Sequence, residues 1–236
     1  MPLEAAPLLT YNNTLLTSIA VTSTHDYTVA FLGTSNGHIK KAVVESVTSA
    51  FEYDSMVIDE GSSVNSDMHF ASQNKNYLYV MTRNKVTMVK VQECHVYKSC
   101  HECLGARDPY CGWCSLEDKC SLRSECEAAQ APKYWLSYKN GKCTTISQVH
   151  PPQIQRTTTR TLTLMIDNLP VLDTTEYYCE FTAFGKIRIT NATRSSNGVM
   201  CPTPPTDTLP QIPAGARKFA FFAFSQINFF LKNLKK

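Results

Sequence analysis

Thiols are the groups this chain has in quantity for chemistry. Ten cysteines occur in 236 residues, and eight of them lie between Cys94 and Cys143, spaced C-x5-C-x2-C-x7-C-x2-C-x5-C-x5-C-x16-C. Three chemistries fit such a cluster. Paired, the thiols form a disulfide framework of the kind found in secreted and extracellular modules. As thiolates, Cys100-x2-Cys103 and Cys111-x2-Cys114 form two knuckles, enough for one tetrahedral zinc site. Cys111-Gly-Trp-Cys114 is also a C-x-x-C, the pattern of redox dithiols. Zinc leaves four cysteines without a role, and seven residues between knuckles is short for two opposed hairpins. Redox chemistry wants its first cysteine at a helix N-terminus in a βαβ setting, and Pro109 with its neighbouring cysteines replaces that context. The disulfide framework is the expected one. A segment this short buries too little surface to fold on packing alone. Closing a loop of about 15 residues contributes about 3 kcal/mol per bridge in the chain-entropy picture.

Other chemistry is sparse. Gly33-Thr34-Ser35-Asn36-Gly37 matches G-x-S-x-G, but that nucleophile works only at a strand-to-helix elbow with a histidine and an acid downstream. The run from His38 to Val44 is β-branched and continues a hairpin, so Ser35 is expected to be a turn serine. His25, His38, His69, His95, His101 and His150 have no metal-ligand spacing. The carboxylates form no acid/base pair. The chain is expected to be no enzyme and to need no cofactor or metal.

The surrounding elements are strands. Hydrophobic residues make up 43% of the chain, charged residues 18%, and the net charge is +3. That balance does not suggest a nucleic-acid partner. Threonine, serine, valine and tyrosine favour β structure. Strands are read at Ser18–Thr22, Tyr27–Leu32, His38–Val44, Tyr53–Ile58, Tyr77–Thr82 and Lys85–Val91. Asn36-Gly37 and Arg83-Asn84 are the hairpin turns. After Pro151-Pro152, the alternation of Leu162, Leu164 and Ile166 with polar positions marks another strand. Tyr177–Phe181, Lys186–Thr190 and Val199–Cys201 follow. Cys179 and Cys201 lie outside the knot and are expected to pair, which leaves the cysteine count even. A two-sheet sandwich fits this part. Two N-x-[ST] sequons, Asn12-Asn-Thr14 and Asn191-Ala-Thr193, are candidate glycosylation sites.

The run CLGARDPYCGWC and the spacing of all eight cysteines resemble the PSI domain of plexins, semaphorins and integrins. That resemblance implies the pairs Cys94–Cys111, Cys100–Cys143, Cys103–Cys120 and Cys114–Cys126. LTSIAVTSTHDYTVAFLGTSNGHIKK and YLYVMTRNKVTMVKVQEC resemble the end of a plexin sema propeller. LTLMIDNLPVLDTTEYYCEF resembles the segment that leads to the plexin IPT-type sandwiches.

The expected class is therefore mainly β. Residues 1–93 would be the C-terminal part of a sema propeller, roughly its last blade and a half. Residues 94–143 would be the PSI knot, and 144–213 a partial IPT-type β-sandwich. Residues 214–236 would be a divergent, phenylalanine-rich basic tail, poorly ordered and too short in its apolar run to span a bilayer. The missing blades should leave open strand edges on residues 1–93.

The implied function is that of a semaphorin receptor in cell and axon guidance, on the outer side of the plasma membrane. The partner is semaphorin, bound through the whole receptor, and the membrane is reached only through a transmembrane part outside this chain. The semaphorin-contacting face lies mostly on absent blades, so no contact residue is carried over. Met1-Pro-Leu-Glu-Ala-Ala-Pro does not read as a secretory signal, so the chain is expected to be part of a longer product. Two alternatives stay open: a secreted semaphorin-like or decoy binding module, and a cytosolic zinc or redox protein.

Overall fold

The computed structural model describes residues 6–152, 159–170, 175–183, 186–208 and 226–233. The chain divides into two compact units. The first holds the residues up to Cys114 with 118–126 and 136–141, and the second holds 142–236 with two short segments of the knot, 115–117 and 127–135.

The first unit begins with four antiparallel strands, β1 (Leu16–Ser23), β2 (Thr28–Thr34), β3 (His38–Ser46) and β4 (Ser49–Val57), in sheet order β1-β2-β3-β4. Asn36-Gly37 turns β2 into β3, as expected from the residue types. Gly37 has φ +85°, and a Cβ there would lie 1.8 Å from the Asp59 carbonyl oxygen, so only glycine fits. The Thr34 hydroxyl accepts the His38 N–H at 2.9 Å and donates to the Asn36 side chain. Ser35 thus sits in a strand–turn–strand hairpin, and the elbow that a nucleophile needs is absent there.

A second sheet follows, β5 (Val64–Phe70), β6 (Tyr77–Thr82) and β7 (Val86–Lys90), in sequential order. Both sheets bury one face in a common core. Val29, Phe31 and Ile39 come from the first sheet, and Val64, Met68, Leu78 and Val80 from the second. The strand β5 escaped the sequence reading. Asn65, Ser66 and Asp67 are exposed, Val64 and Met68 point inward with Phe70 packing against the core from the end of the strand, and the register with β6 slips between Val64 and Met68.

The knot carries one short helix, α1 (Cys100–Gly105), and a small sheet of β8 (Cys111–Cys114), β9 (Lys119–Leu122) and β10 (Trp135–Ser137), ordered β10-β8-β9. A capping box starts α1. The Ser99 hydroxyl accepts the Glu102 N–H at 3.2 Å, and the Glu102 carboxylate accepts the N–H groups of Ser99 and Lys98 at 3.2 and 2.9 Å. Trp113, Leu136 and five half-cystines fill the knot's interior or pack against it from Cys94, Cys103, Cys111, Cys120 and Cys100.

The second unit is built on β11 (Thr145–His150), β12 (Thr161–Asp167), β13 (Thr175–Ala183), β14 (Lys186–Ser195), β15 (Gly198–Pro202) and β16 (Gln226–Asn233), ordered β11-β12-β15-β14-β13-β16. Strand β14 pairs with β13 from Lys186 to Ala192 and with β15 from Thr193 to Ser195. It passes from one half of the sheet to the other, so the two halves share one core. That core joins Leu162, Leu164 and Ile166 of β12 with Tyr177, Cys179 and Phe181 of β13 and Val199 and Cys201 of β15. The tail expected at 214–236 is strand over 226–233, paired with β13 from Thr175↔Asn233 to Thr182↔Gln226. Its β-branched and aromatic composition suits that state. The rest of that expectation lies outside the described residues.

Candidate functional site at the cysteine knot

The knot takes its cysteines as disulfides. Cys94 joins Cys111, Cys103 joins Cys120 and Cys114 joins Cys126, with Cα separations of 5.3, 5.7 and 5.6 Å. Cys100 and Cys143 are disulfide-bonded as well. In the second unit Cys179 joins Cys201 across 6.1 Å. No cysteine is free among the described residues, so both C-x2-C pairs lack the thiolates that zinc or redox chemistry requires.

Within the first unit the knot rests on the β1–β4 sheet. Helix α1 ends at Gly105, and Arg107 adopts φ +54°, the left-handed position past a helix end that glycine usually takes. That turn lays the Arg107 guanidinium over the Phe51 ring at 3.7 Å and within 5.8 Å of the Tyr138 ring. Tyr138 stacks on Tyr27 at 5.0 Å and meets Phe51 edge-on at 6.0 Å. Two aromatic rings, from β4 and the knot, thus meet one cation, and Tyr27 at the entry to β2 backs the second of them.

A buried polar cluster lies beside them. Lys41 is 3% exposed and its ammonium lies 2.8 Å from the Asp54 carboxylate. Asp108, also buried, accepts the Tyr110 N–H at 2.9 Å. Burial raises the Asp108 carboxyl to about 6, against the pull of the Tyr110 N–H and the Lys41 charge. Burial and then the Asp108 charge push up the phenols of Tyr53 and Tyr110. Their hydroxyls are buried without a hydrogen-bond partner among the described residues. At the far side of the sheet Lys40 pairs with Glu52 at 2.9 Å and lies over Tyr11 at 4.9 Å. Burial, then Glu52, takes the Tyr11 phenol to about 12.

None of these groups presents a nucleophile beside a base. The arrangement is a fixing point for two modules. Sequence reasoning located the cysteines and missed Arg107, Asp108 and Lys41. One local signal exists for Lys41: it has the same parity as Ile39 and Val43, which places it on their face of β3. Asn12 is exposed in a turn, and Asn191 is exposed on β14.

A strand-built first unit, a disulfide knot seated on it and a second β module define a class of protein: a modular, disulfide-stapled β protein. Family comparison agrees along the chain. The Sema domain matches residues 1–71, the plexin repeat PSI matches 93–144, and the plexin-type TIG domain matches 150–222. Human Plexin-B1 is 37% identical over 219 residues, covering 92% of this chain and 10% of that protein. Plexin-B3 of Rattus norvegicus is 35% identical, covering 91% and 11%. The solved extracellular region of Plexin A4 superposes with a TM-score of 0.73 at 28% identity, over 85% of this chain and 20% of that one. The chain belongs to the plexin family. It spans about a tenth of the length of these curated relatives, and no matching family description is that of an enzyme. Among the described residues no helix is long and apolar enough to cross a membrane.

Proposed function

We propose that this chain forms part of the extracellular stalk of a plexin-type semaphorin receptor. Residues 1–93 end the sema propeller, 94–143 are the PSI knot and 144–213 open the IPT-type region. The receptor binds semaphorin through its complete propeller and acts in cell and axon guidance from the outer face of the plasma membrane. The knot's task is mechanical: it holds the propeller in a set orientation on the stalk. The observation that carries this reading is the seat of the knot on the β1–β4 sheet, where the Arg107 guanidinium lies over Phe51 and beside Tyr138. A seat of stacked rings and a buried ion pair resists bending better than a flexible linker does.

The test is peptide mapping without reduction, on the 236-residue chain expressed behind a secretory leader. The expected result is all five pairs, the four of the knot and Cys179–Cys201. Free thiols or stoichiometric zinc in correctly folded, monomeric protein would remove the extracellular assignment, and the receptor reading with it.

A further inference from the structure

An antiparallel sheet with one face in water shows polar residues on that face. The sheet of the second unit largely follows this rule on β12, where Thr161, Thr163 and Asp167 point away from the core beside a half-buried Met165, and on β13, where Glu180 and Thr182 do beside a half-buried Tyr178. It breaks the rule on β14. Tyr177, Cys179 and Phe181 of β13 point into the core, so their partners Ala192, Thr190 and Arg188 share the inner side. The alternate residues Ile187, Ile189, Asn191 and Thr193 therefore face outward. Ile187 is 53% and Ile189 62% exposed. Both isoleucines lie on the stretch of β14 that pairs with β13 alone, since β15 joins β14 only from Thr193 to Ser195. Met200 of β15, opposite Thr193, extends the exposed stripe.

Asn191 and Thr193 are the acceptor and the hydroxyl residue of a sequon, and they lie on this same face. Along a strand Ile189 is about 7 Å from Asn191 and Ile187 about 14 Å. Tyr178 is directly opposite Asn191 on β13, at about 5 Å between Cα atoms. We propose that Asn191 carries an N-linked glycan whose inner sugars lie along the outward face of β14 and cover Ile187 and Ile189. The occupant of this apolar face is thus attached to the strand that bears it. A sugar ring has an apolar face of C–H groups that suits isoleucine side chains and the Tyr178 ring, and hydroxyl edges that suit water. In the transfer, the Asn191 amide nitrogen bonds to the anomeric carbon of a lipid-diphosphate-linked oligosaccharide. The carbon–oxygen bond to the diphosphate breaks, the diphosphate leaves with the electron pair, and the amide nitrogen gives up one proton.

The proposal rests on the extracellular reading, and its test separates the two. The 236-residue chain is secreted from glycosylating cells, and site occupancy is read by mass spectrometry at Asn12 and Asn191. Glycan at both is expected. Glycan at Asn12 with Asn191 bare overturns the proposal and leaves the extracellular reading standing; glycan at neither overturns both. Variants Asn191→Gln and Thr193→Ala are then compared with Thr193→Ser, which keeps the sequon. Both sequon-breaking variants should bind a dye for apolar surface several-fold more strongly and self-associate, and adding Ile187→Thr with Ile189→Thr should reverse this. Unchanged dye binding and a monomer in both, at normal secretion, overturn the proposal. Asn12→Gln is the control and should change neither readout.

Discussion

The Arg107 guanidinium lies 3.7 Å above the centroid of the Phe51 ring. One residue belongs to the knot and the other to β4, and the pair fastens the first unit. Arg107 is solvent-exposed, so the contact contributes about 0.5–1 kcal/mol. Arg107→Ala should lower the stability of the chain by that amount in urea denaturation. Arg107→Lys should recover little of it, because an ammonium cannot stack flat on a ring. Full recovery with lysine would mean that charge alone matters at this position.

Asp108 makes the first unit sensitive to acid in an unusual direction. Its carboxyl holds a proton more tightly in the folded chain, with a value near 6, than in the unfolded chain, where it is near 3.8. Between those values the folded state carries the extra proton, so this group's contribution to stability rises as pH falls through about 6 and levels off below about 4. At pH 7 its buried charge costs on the order of 3 kcal/mol. Asp108→Asn keeps an acceptor for the Tyr110 N–H. It should flatten the pH dependence over that window and stabilise the chain at pH 7. Denaturation at pH 5 and pH 7 measures both effects, and a variant less stable than the parent at pH 7 would contradict the assignment.

Lys41 and Asp54 are an unequal pair: the lysine side chain is 4% exposed and the aspartate 48%. Removing the buried charge should therefore cost less than removing its exposed partner. Lys41→Met leaves a carboxylate that water can solvate, whereas Asp54→Asn leaves a buried ammonium with less compensation. Melting temperatures should fall in the order parent, Lys41→Met, Asp54→Asn. The reverse order would show that the pair is screened as a surface bridge.

The disulfides differ in what they hold. Cys179 and Cys201 close 22 residues, for which the chain-entropy picture gives about 3 kcal/mol. Replacing both with alanine should destabilise the second unit and leave the first unit's unfolding transition where it was. A shift of both transitions by equal amounts would contradict that separation.

Local signals were legible in the sequence, and long-range ones were not. Asn36-Gly37 announced its hairpin because a turn with positive φ depends on the residues in it. The cysteine spacing announced a knot, and Leu162, Leu164 and Ile166 announced their strand by alternation. Strands β5 and β11 were silent, because Asn65, Ser66, Asp67 and Gln148 face water and leave too few apolar positions to set a period. The seat of the knot was silent for another reason. Arg107 and Phe51 lie far apart in the chain, and nothing in the residues beside either one points to the other; only Lys41 carries a local hint, from its place between Ile39 and Val43. Their meaning comes from the tertiary contact, which no window of sequence contains.

The pairing of β16 with β13 constrains the order in which the molecule is made. As the chain leaves the ribosome, β13 emerges well before its neighbour, and β14 and β15 intervene. Until residues 226–233 follow, one side of β13 is a row of unsatisfied amides and carbonyls, able to accept a strand from another chain. The interval between synthesis of these two strands is therefore the one in which that edge of β13 stands open to another chain.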